Sequence, residues 1–335
     1  MVAEGYQPCA DVQKFVDDAE QSVYALARDV ATTNAVGVRA VADAAFSQLL
    51  AAFRAAESGE IPGLTTGFLD LDDRLSGLHP GELVVLAARP GMGKTAMALD
   101  VTRAVTARGT GALVFSLEMP KEQLAMRMFC QDAQVDVGSV RKGRVSADGW
   151  QRLSAAAGVV SKQPLHFDDS PSLALHQLRA TARRVAADAA RAGHKLGLVV
   201  VDYIQLMQGD PDAQNREQQV AGISRGLKQL ARELNVCVLA LSQLNRGVES
   251  RARDKRPMLS DLRESGAIEQ DADAVLLLYR DDYYRDVKPE KRGIAEVIVA
   301  KQRNGPTGTV YVRWVAESAH FCNLARGEYP EDDAA

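Results

Sequence analysis

The sequence predicts an α/β protein whose largely parallel sheet is covered by helices on both faces. Five short, almost unbroken apolar runs, LVVLAA (83–88), ALVFSL (112–117), LVVV (198–201), VCVLAL (236–241) and AVLLLY (274–279), read as strands buried on both sides. Longer stretches of helical periodicity separate them, which is the alternation that a parallel sheet needs for its crossovers. A glycine-rich turn lies between the first run and a helix.

In chain order, residues 11 to 30 place Val12, Phe15, Val16, Ala19, Val23, Leu26 and Val30 at steps of three and four, one apolar stripe on a helix. A second, alanine-rich helical stretch, roughly 35 to 56, ends at the breakers Ser58-Gly59 and Pro62-Gly63. Two helices cannot close a core, so they pack either on the domain that follows or on a neighbouring subunit. Residues 1–60 form this helical appendage, 61–325 the main domain and 326–335 an acidic tail that ends in GEYPEDDAA. Helices are expected around 93–107, 119–132, 146–161, 172–192 and 214–234. In the last, Gly222 and Gly226 each cost about 1 kcal/mol against alanine. IAEVIVAK (294–301) and TVYVRWV (309–315) flank NGPTG and read as an antiparallel hairpin at the sheet edge.

Composition excludes several classes. The 335 residues carry a formal charge of only −4, so any nucleic-acid contact must be local. Cys9, Cys130, Cys237 and Cys322 are far apart and the five histidines show no ligand spacing, which points to reduced thiols, a cytoplasmic setting and no structural zinc. No stretch approaches 18 uninterrupted apolar residues and the amino terminus is not a leader, so neither export nor membrane insertion is expected.

The most specific signal is ARPGMGKT (88–95), which fits the phosphate-loop pattern except that Ala88 replaces the first glycine. Arg89, Pro90, Gly91, Met92, Gly93, Lys94, Thr95 and Ala96 are the expected nucleotide contacts. Backbone amides of such a loop point at the phosphates, Lys94 reaches their β- and γ-oxygens, and the Thr95 hydroxyl is a Mg2+ ligand. The strand ending VVVD supplies Asp202 as the second acidic group at the metal. Glu118 ends ALVFSLE. If its strand neighbours the loop strand it is a general base for water, and otherwise a carboxylate at a helix amino terminus. Gln243, after VCVLALS, is either a γ-phosphate sensor or a solvated strand end.

Together these blocks resemble the carboxyl-terminal ATPase domain of the bacterial replicative DNA helicases, with its RecA-like core. The resemblance begins at LTTGFLDLDDRLSGLHPGELVVLAARPGMGKT. It continues through FSLEM, VVVDYIQLM, LALSQLNR, DLRESGAIEQDADAVLLLYRDDYY and AKQRNGPTGTV, about residues 61 to 324. It implies an ATP-driven, Mg2+-dependent homo-hexamer that moves 5′ to 3′ on single-stranded DNA and unwinds duplex. The segment 11–27 resembles the family's linker helix, which favours docking on an adjacent subunit. The resemblance assigns Lys94 and Thr95 to phosphates and magnesium, Glu118 to the attacking water, Asp202 to the metal and Gln243 to the γ-phosphate. Lys301 and Arg303 of KQRNG match the pair that reaches the neighbour's nucleotide, Arg303 as arginine finger; within one chain they read equally as solvated hairpin residues. The family's amino-terminal collar has no counterpart before residue 11, which bears on primase and helicase-loader partnership.

For DNA, RKGR (141–144) and NRGVESRARDKRP (245–257) are basic and lie between predicted elements, so Arg246, Arg251 and Arg253 are candidate phosphate contacts or members of a solvated loop. By resemblance the segment DLRESG adds Arg263, Glu264 and Gly266. Rival readings are a RecA-class DNA-binding ATPase without unwinding activity and a collar-less fragment acting as a regulatory protein.

Overall fold

A computed structural model describes residues 36–209, 213–251, 254–284 and 292–325. The predicted stripe over 11–30, the acidic tail, and Arg253 lie outside the described residues. The chain divides between Ser58 and Gly59 into two compact units.

The described part of the first unit is helix α1 (Val38–Glu57), which stops where Ser58 caps it by donating to the carbonyls of Ala56 and Arg54. Phe46, Leu49, Leu50 and Phe53, spaced along one stripe, are exposed.

The second unit opens with the short helix α2 (Leu69–Leu75). Its buried Asp72 accepts hydrogen bonds from the Thr66 amide and hydroxyl, both at 2.7 Å, and from the Thr65 hydroxyl at 2.5 Å. Then follow β1 (Leu83–Ala88), α3 (Lys94–Ala107), β2 (Gly111–Ser116), α4 (Lys121–Ala133), α5 (Val137–Arg141), α6 (Ala147–Val160) and β3 (Leu165–Asp168). The chain continues with α7 (Leu175–Arg191), β4 (Leu196–Asp202), α8 (Arg216–Leu234), β5 (Cys237–Gln243), α9 (Gly266–Asp271) and β6 (Ala274–Tyr279). It closes with β7 (Ile294–Gln302), β8 (Gly308–Val315) and β9 (His320–Asn323).

The sheet order is β3-β2-β4-β5-β1-β6-β7-β8-β9. From β3 to β6 neighbours are parallel, and the last three strands join antiparallel. Successive side chains of β1 serve opposite cores. Val84, Leu86 and Ala88 pack with α2, α3 and α4, whereas Leu83, Val85 and Ala87 pack with α7 and α8. That is why the strand sequence is apolar throughout rather than alternating.

Two four-residue strands were not expected. β3 is too short for periodicity to register, and β9, HFCN, forms the outer edge, so the predicted hairpin of β7 and β8 is one strand in from it. Among the described residues no helix is long and apolar enough to cross a membrane.

Candidate nucleotide site and DNA-facing loops

β1 ends at Ala88, still in strand register with Gln243 of β5 and Leu278 of β6. The glycine missing from the phosphate-loop pattern therefore falls where the backbone is ordinary strand. Gly91 and Gly93 differ, with φ of +80° and +100°. A Cβ would also lie 2.8 Å from the Tyr283 ring at Gly91, and 2.9 Å from the Phe321 ring at Gly93. Only glycine satisfies both demands.

Helix α3 starts at Lys94 without a side-chain cap, so its first amides are left for an anion. Lys94 lies 3.5 Å from Asp202 Oδ1 and 4.1 Å from the Tyr203 ring centroid. Burial pulls the Lys94 ammonium below its usual pKa, against the opposing pull of Asp202 and Glu118. The Thr95 hydroxyl donates to Asp202 Oδ2 at 2.6 Å, while the buried Oδ1 accepts no closer hydrogen bond among the described residues than the 3.5 Å approach of the Lys94 ammonium. An unsatisfied carboxylate oxygen beside a threonine hydroxyl fits a hard divalent cation with its water shell.

The condition attached to Glu118 is not met, because β4 and β5 separate β2 from β1. Another route brings it to the site. Ser116 pairs with Asp202 across β2 and β4, and Leu117 donates to the Asp202 carbonyl at 2.8 Å, so Glu118 stands at the carboxyl edge beside Asp202. Its charge is felt at Lys94, Arg127 and Tyr203. Gln243 ends β5 next to Ala88, and its backbone N–H donates to Gln205 Oε1.

Sequence reasoning passed over two residues here. Tyr203, directly after Asp202, was legible from its position. Arg127 was not, because nothing in the spacing of α4 marks it. Its guanidinium is half-buried, forms no ion pair among the described residues, and has its pKa lowered first by burial and also by Arg141, while Asp202 and Glu118 oppose the shift.

Lys301 and Arg303 lie elsewhere. β7 runs against β6, pairing Val275 with Lys301 and Ala274 with Gln302, and Ala274 is level with Val84 near the start of β1. The pair is thus at the amino edge of the sheet, whereas the phosphate loop leaves the carboxyl edge beyond Ala88, four residues or about 13 Å along β1 from Val84 and two strands across. There Lys301 Nζ donates to the carbonyls of Glu269 and, at 2.8 Å, Ala272. Arg303 Nη2 donates to the Gln270 carbonyl at 2.7 Å, with Nε 3.7 Å from Asp273. Neither is a free hairpin cation; both cover the carboxyl end of α9.

The segment after β5 forms a 3-10 turn at Arg246–Ser250, and a second such turn, Leu259–Ser265, carries the backbone of Arg263 and Glu264 directly into Gly266 and α9. Arg246 and Gly266 are exposed, as is RKGR at 141–144. Arg251 is committed to Asp261 at 2.5 Å and to the Arg256 carbonyl. The two turns meet at Asn245, whose N–H donates to the Asp261 carbonyl, and border a cleft of about 380 Å³ lined also by Arg89, Tyr203 and Gln243.

A phosphate loop at the carboxyl edge of a parallel sheet, with an acidic strand end two strands away, defines a RecA-like phosphate-loop ATPase. Residues 63–323 match the DnaB-like helicase C terminal domain. The chain belongs to this family: it is a replicative DNA helicase of the DnaB type, an ATP-hydrolysing class of enzyme. Replicative DNA helicase DnaC of Bacillus subtilis is 42% identical over 325 residues, covering 96% of this chain and 70% of that protein. Replicative DNA helicase DnaB of Geobacillus stearothermophilus is 47% identical over 270 residues, covering 80% and 58%. Among solved structures, one described as an ATPase domain superposes with a TM-score of 0.77 at 38% identity, covering 83% of this chain and 98% of that one. A DnaB-like replicative helicase described with its interactions with primase gives 0.76 at 38% identity, covering 83% and 66%.

Proposed function

We propose that this chain is the motor of a homo-hexameric ring that hydrolyses ATP between subunits and moves 5′ to 3′ along single-stranded DNA, separating the duplex. The observation that carries this reading is the placement of Lys301 and Arg303 at the opposite edge of the sheet from the chain's own phosphate loop. An arginine side chain cannot span that distance, so its use at a γ-phosphate requires the nucleotide of a second subunit.

Within one site, the amides at the start of α3 and the Lys94 ammonium hold the β- and γ-phosphates. Thr95 and Asp202 would hold Mg2+, which when bound draws charge from the phosphate oxygens. Glu118 orients a water and accepts its proton at a carboxylate oxygen. Gln243 meets the γ-phosphate from the end of β5. The neighbour's Arg303 and Lys301 neutralise the charge that develops on the transferring group, an effect worth about 10³ to 10⁵ in rate.

Arg246, Arg251, Arg253, Arg263, Glu264 and Gly266 belong to the segments assigned to single-stranded DNA. Arg246 is exposed, and Arg251 contributes by bracing the loop rather than by reaching out. Contacts through backbone amides suit a motor that must ignore base sequence. Residues 1–60 act as the linker and helical appendage and 61–325 as the motor. A primase or helicase loader is a partner of the whole assembly.

The test is a forked-DNA unwinding assay run beside sizing with and without ATP. ATP-dependent unwinding by a ring, on forks with a 5′ tail, supports the proposal. A monomer that hydrolyses ATP without unwinding overturns it.

A further inference from the structure

Arg89, the first residue beyond β1, has its guanidinium buried at 7% exposure. It is held by the segment that follows β5. Nε and Nη2 donate to Glu249 Oε1 at 2.9 and 2.8 Å, and Nη1 donates to the Leu244 carbonyl at 2.8 Å. Glu249 is its only carboxylate partner among the described residues, and it belongs to the 3-10 turn Arg246–Ser250. We propose that Glu249 is a positioning residue for the phosphate loop. It acts through Arg89, and it makes the shape of the nucleotide site depend on whether the 245–251 segment is held in place by single-stranded DNA.

Three features support this role. A buried guanidinium without its carboxylate is an uncompensated charge, so Arg89 must follow Glu249 or expose itself to water. Between Arg89 and Gly91, Pro90 fixes one torsion, and the Tyr283 ring lies where a Cβ on Gly91 would meet it at 2.8 Å. A shift of Arg89 is therefore delivered to the amides that face the phosphates. At the other end, the turn is anchored by buried Val248 and by the Asn245 side chain, which accepts from the Gly247 amide. Arg251 ties it to Asp261, so both DNA-facing turns move together. Glu249 is half-exposed at 43% and sits three residues from the exposed Arg246. A DNA phosphate drawn to Arg246 repels the Glu249 carboxylate, and the ion pair with Arg89 carries that repulsion to the phosphate loop. This inference rests on the DNA assignment made under the proposed function.

The experiment measures kcat and KM for ATP without DNA and with saturating oligo-dT, together with oligo-dT affinity by fluorescence anisotropy. The proteins are the wild type, Glu249→Gln, Arg89→Lys and the double variant. In Glu249→Gln the DNA-dependent stimulation of kcat is expected to fall by about five-fold or more, the usual lower size of a coupling between sites. Oligo-dT affinity should stay within about two-fold, and the double variant should be no worse than the more affected single one, because the two residues act as one unit. Glu249→Asp, which keeps the charge one methylene short, should fall between wild type and Gln, and it decides the matter if Gln does not fold. Stimulation within about two-fold of wild type in both Glu249 variants, or effects that multiply in the double variant, overturns the proposal. A wild type whose turnover ignores oligo-dT while Glu249→Gln changes nothing overturns the DNA assignment itself.

Discussion

Replacing Arg303 with alanine should silence the ring without unfolding its subunits. In the folded chain Arg303 gives up one hydrogen bond to the Gln270 carbonyl and an ion pair to Asp273 at 3.7 Å, and its side chain is 44% exposed. Solvent screening limits that loss to about 1 kcal/mol or less of stability. The loss at the transition state is larger. A finger worth about 10³ to 10⁵ in rate corresponds to about 4 to 7 kcal/mol of barrier. The Tm should stay close to wild type while ATP turnover nearly vanishes.

Mixing gives the decisive assay. An Arg303→Ala subunit keeps a complete phosphate site but offers no finger, and a Glu118→Gln subunit offers the finger but no base. In an equal mixture, about one quarter of the head-to-tail interfaces join an intact site to an intact finger. Each pure variant has none. Turnover should therefore rise on mixing above the average of the two pure proteins. A mixture that never exceeds that average, at any ratio, would refute the placement of the finger in trans.

Lys94→Ala should abolish ATP turnover with little change in fold, because it removes the buried cation at the start of α3; hydrolysis at a wild-type rate would exclude this loop as the site. Asp100, buried on α3 beyond its first turn, accepts from Gln131 and from the Phe321 amide, and burial raises its pKa to about 8. Since the folded value exceeds the unfolded one, its contribution is fully present below the unfolded pKa of about 4 and is lost as pH rises through the folded value. Asp100→Asn should flatten that decline in chemical-denaturation curves between pH 4 and 9 and raise stability at the alkaline end; an unchanged slope would count against it. Gly222 is exposed with open space for a Cβ, so Gly222→Ala should add about 1 kcal/mol. A Cβ on Gly226 would overlap Leu175 Cδ2, so Gly226→Ala should yield less or destabilise, as thermal unfolding of the two variants will tell. Arg246→Ala should weaken oligo-dT binding and reduce the slope of log affinity against log salt by about 0.7 for each phosphate it no longer neutralises; an identical slope would remove Arg246 from the DNA path.

Much of the molecule was written in local pattern. Strands such as LVVLAA, the helices between them, and the phosphate loop all depend on burial period and backbone freedom within a dozen residues, which a linear reading captures. β3, β9 and α2 escaped because four to seven residues carry too little periodicity; the two strands form only where neighbours supply their hydrogen bonds, and α2 is fastened by Thr65 and Thr66 donating to Asp72.

The order of the strands decided the rest. Sequence alone placed Lys94, Thr95 and Asp202 at the ends of apolar runs, because a phosphate loop and its acidic partner are each local signals. Only the tertiary structure could bring Glu118 to them through β4 rather than through β1, fasten Arg89 to Glu249 across 160 residues of chain, and carry Arg303 to the far edge of the sheet. Strand order is set by how helices cover two faces at once, a property of the whole packed core. No single segment records it.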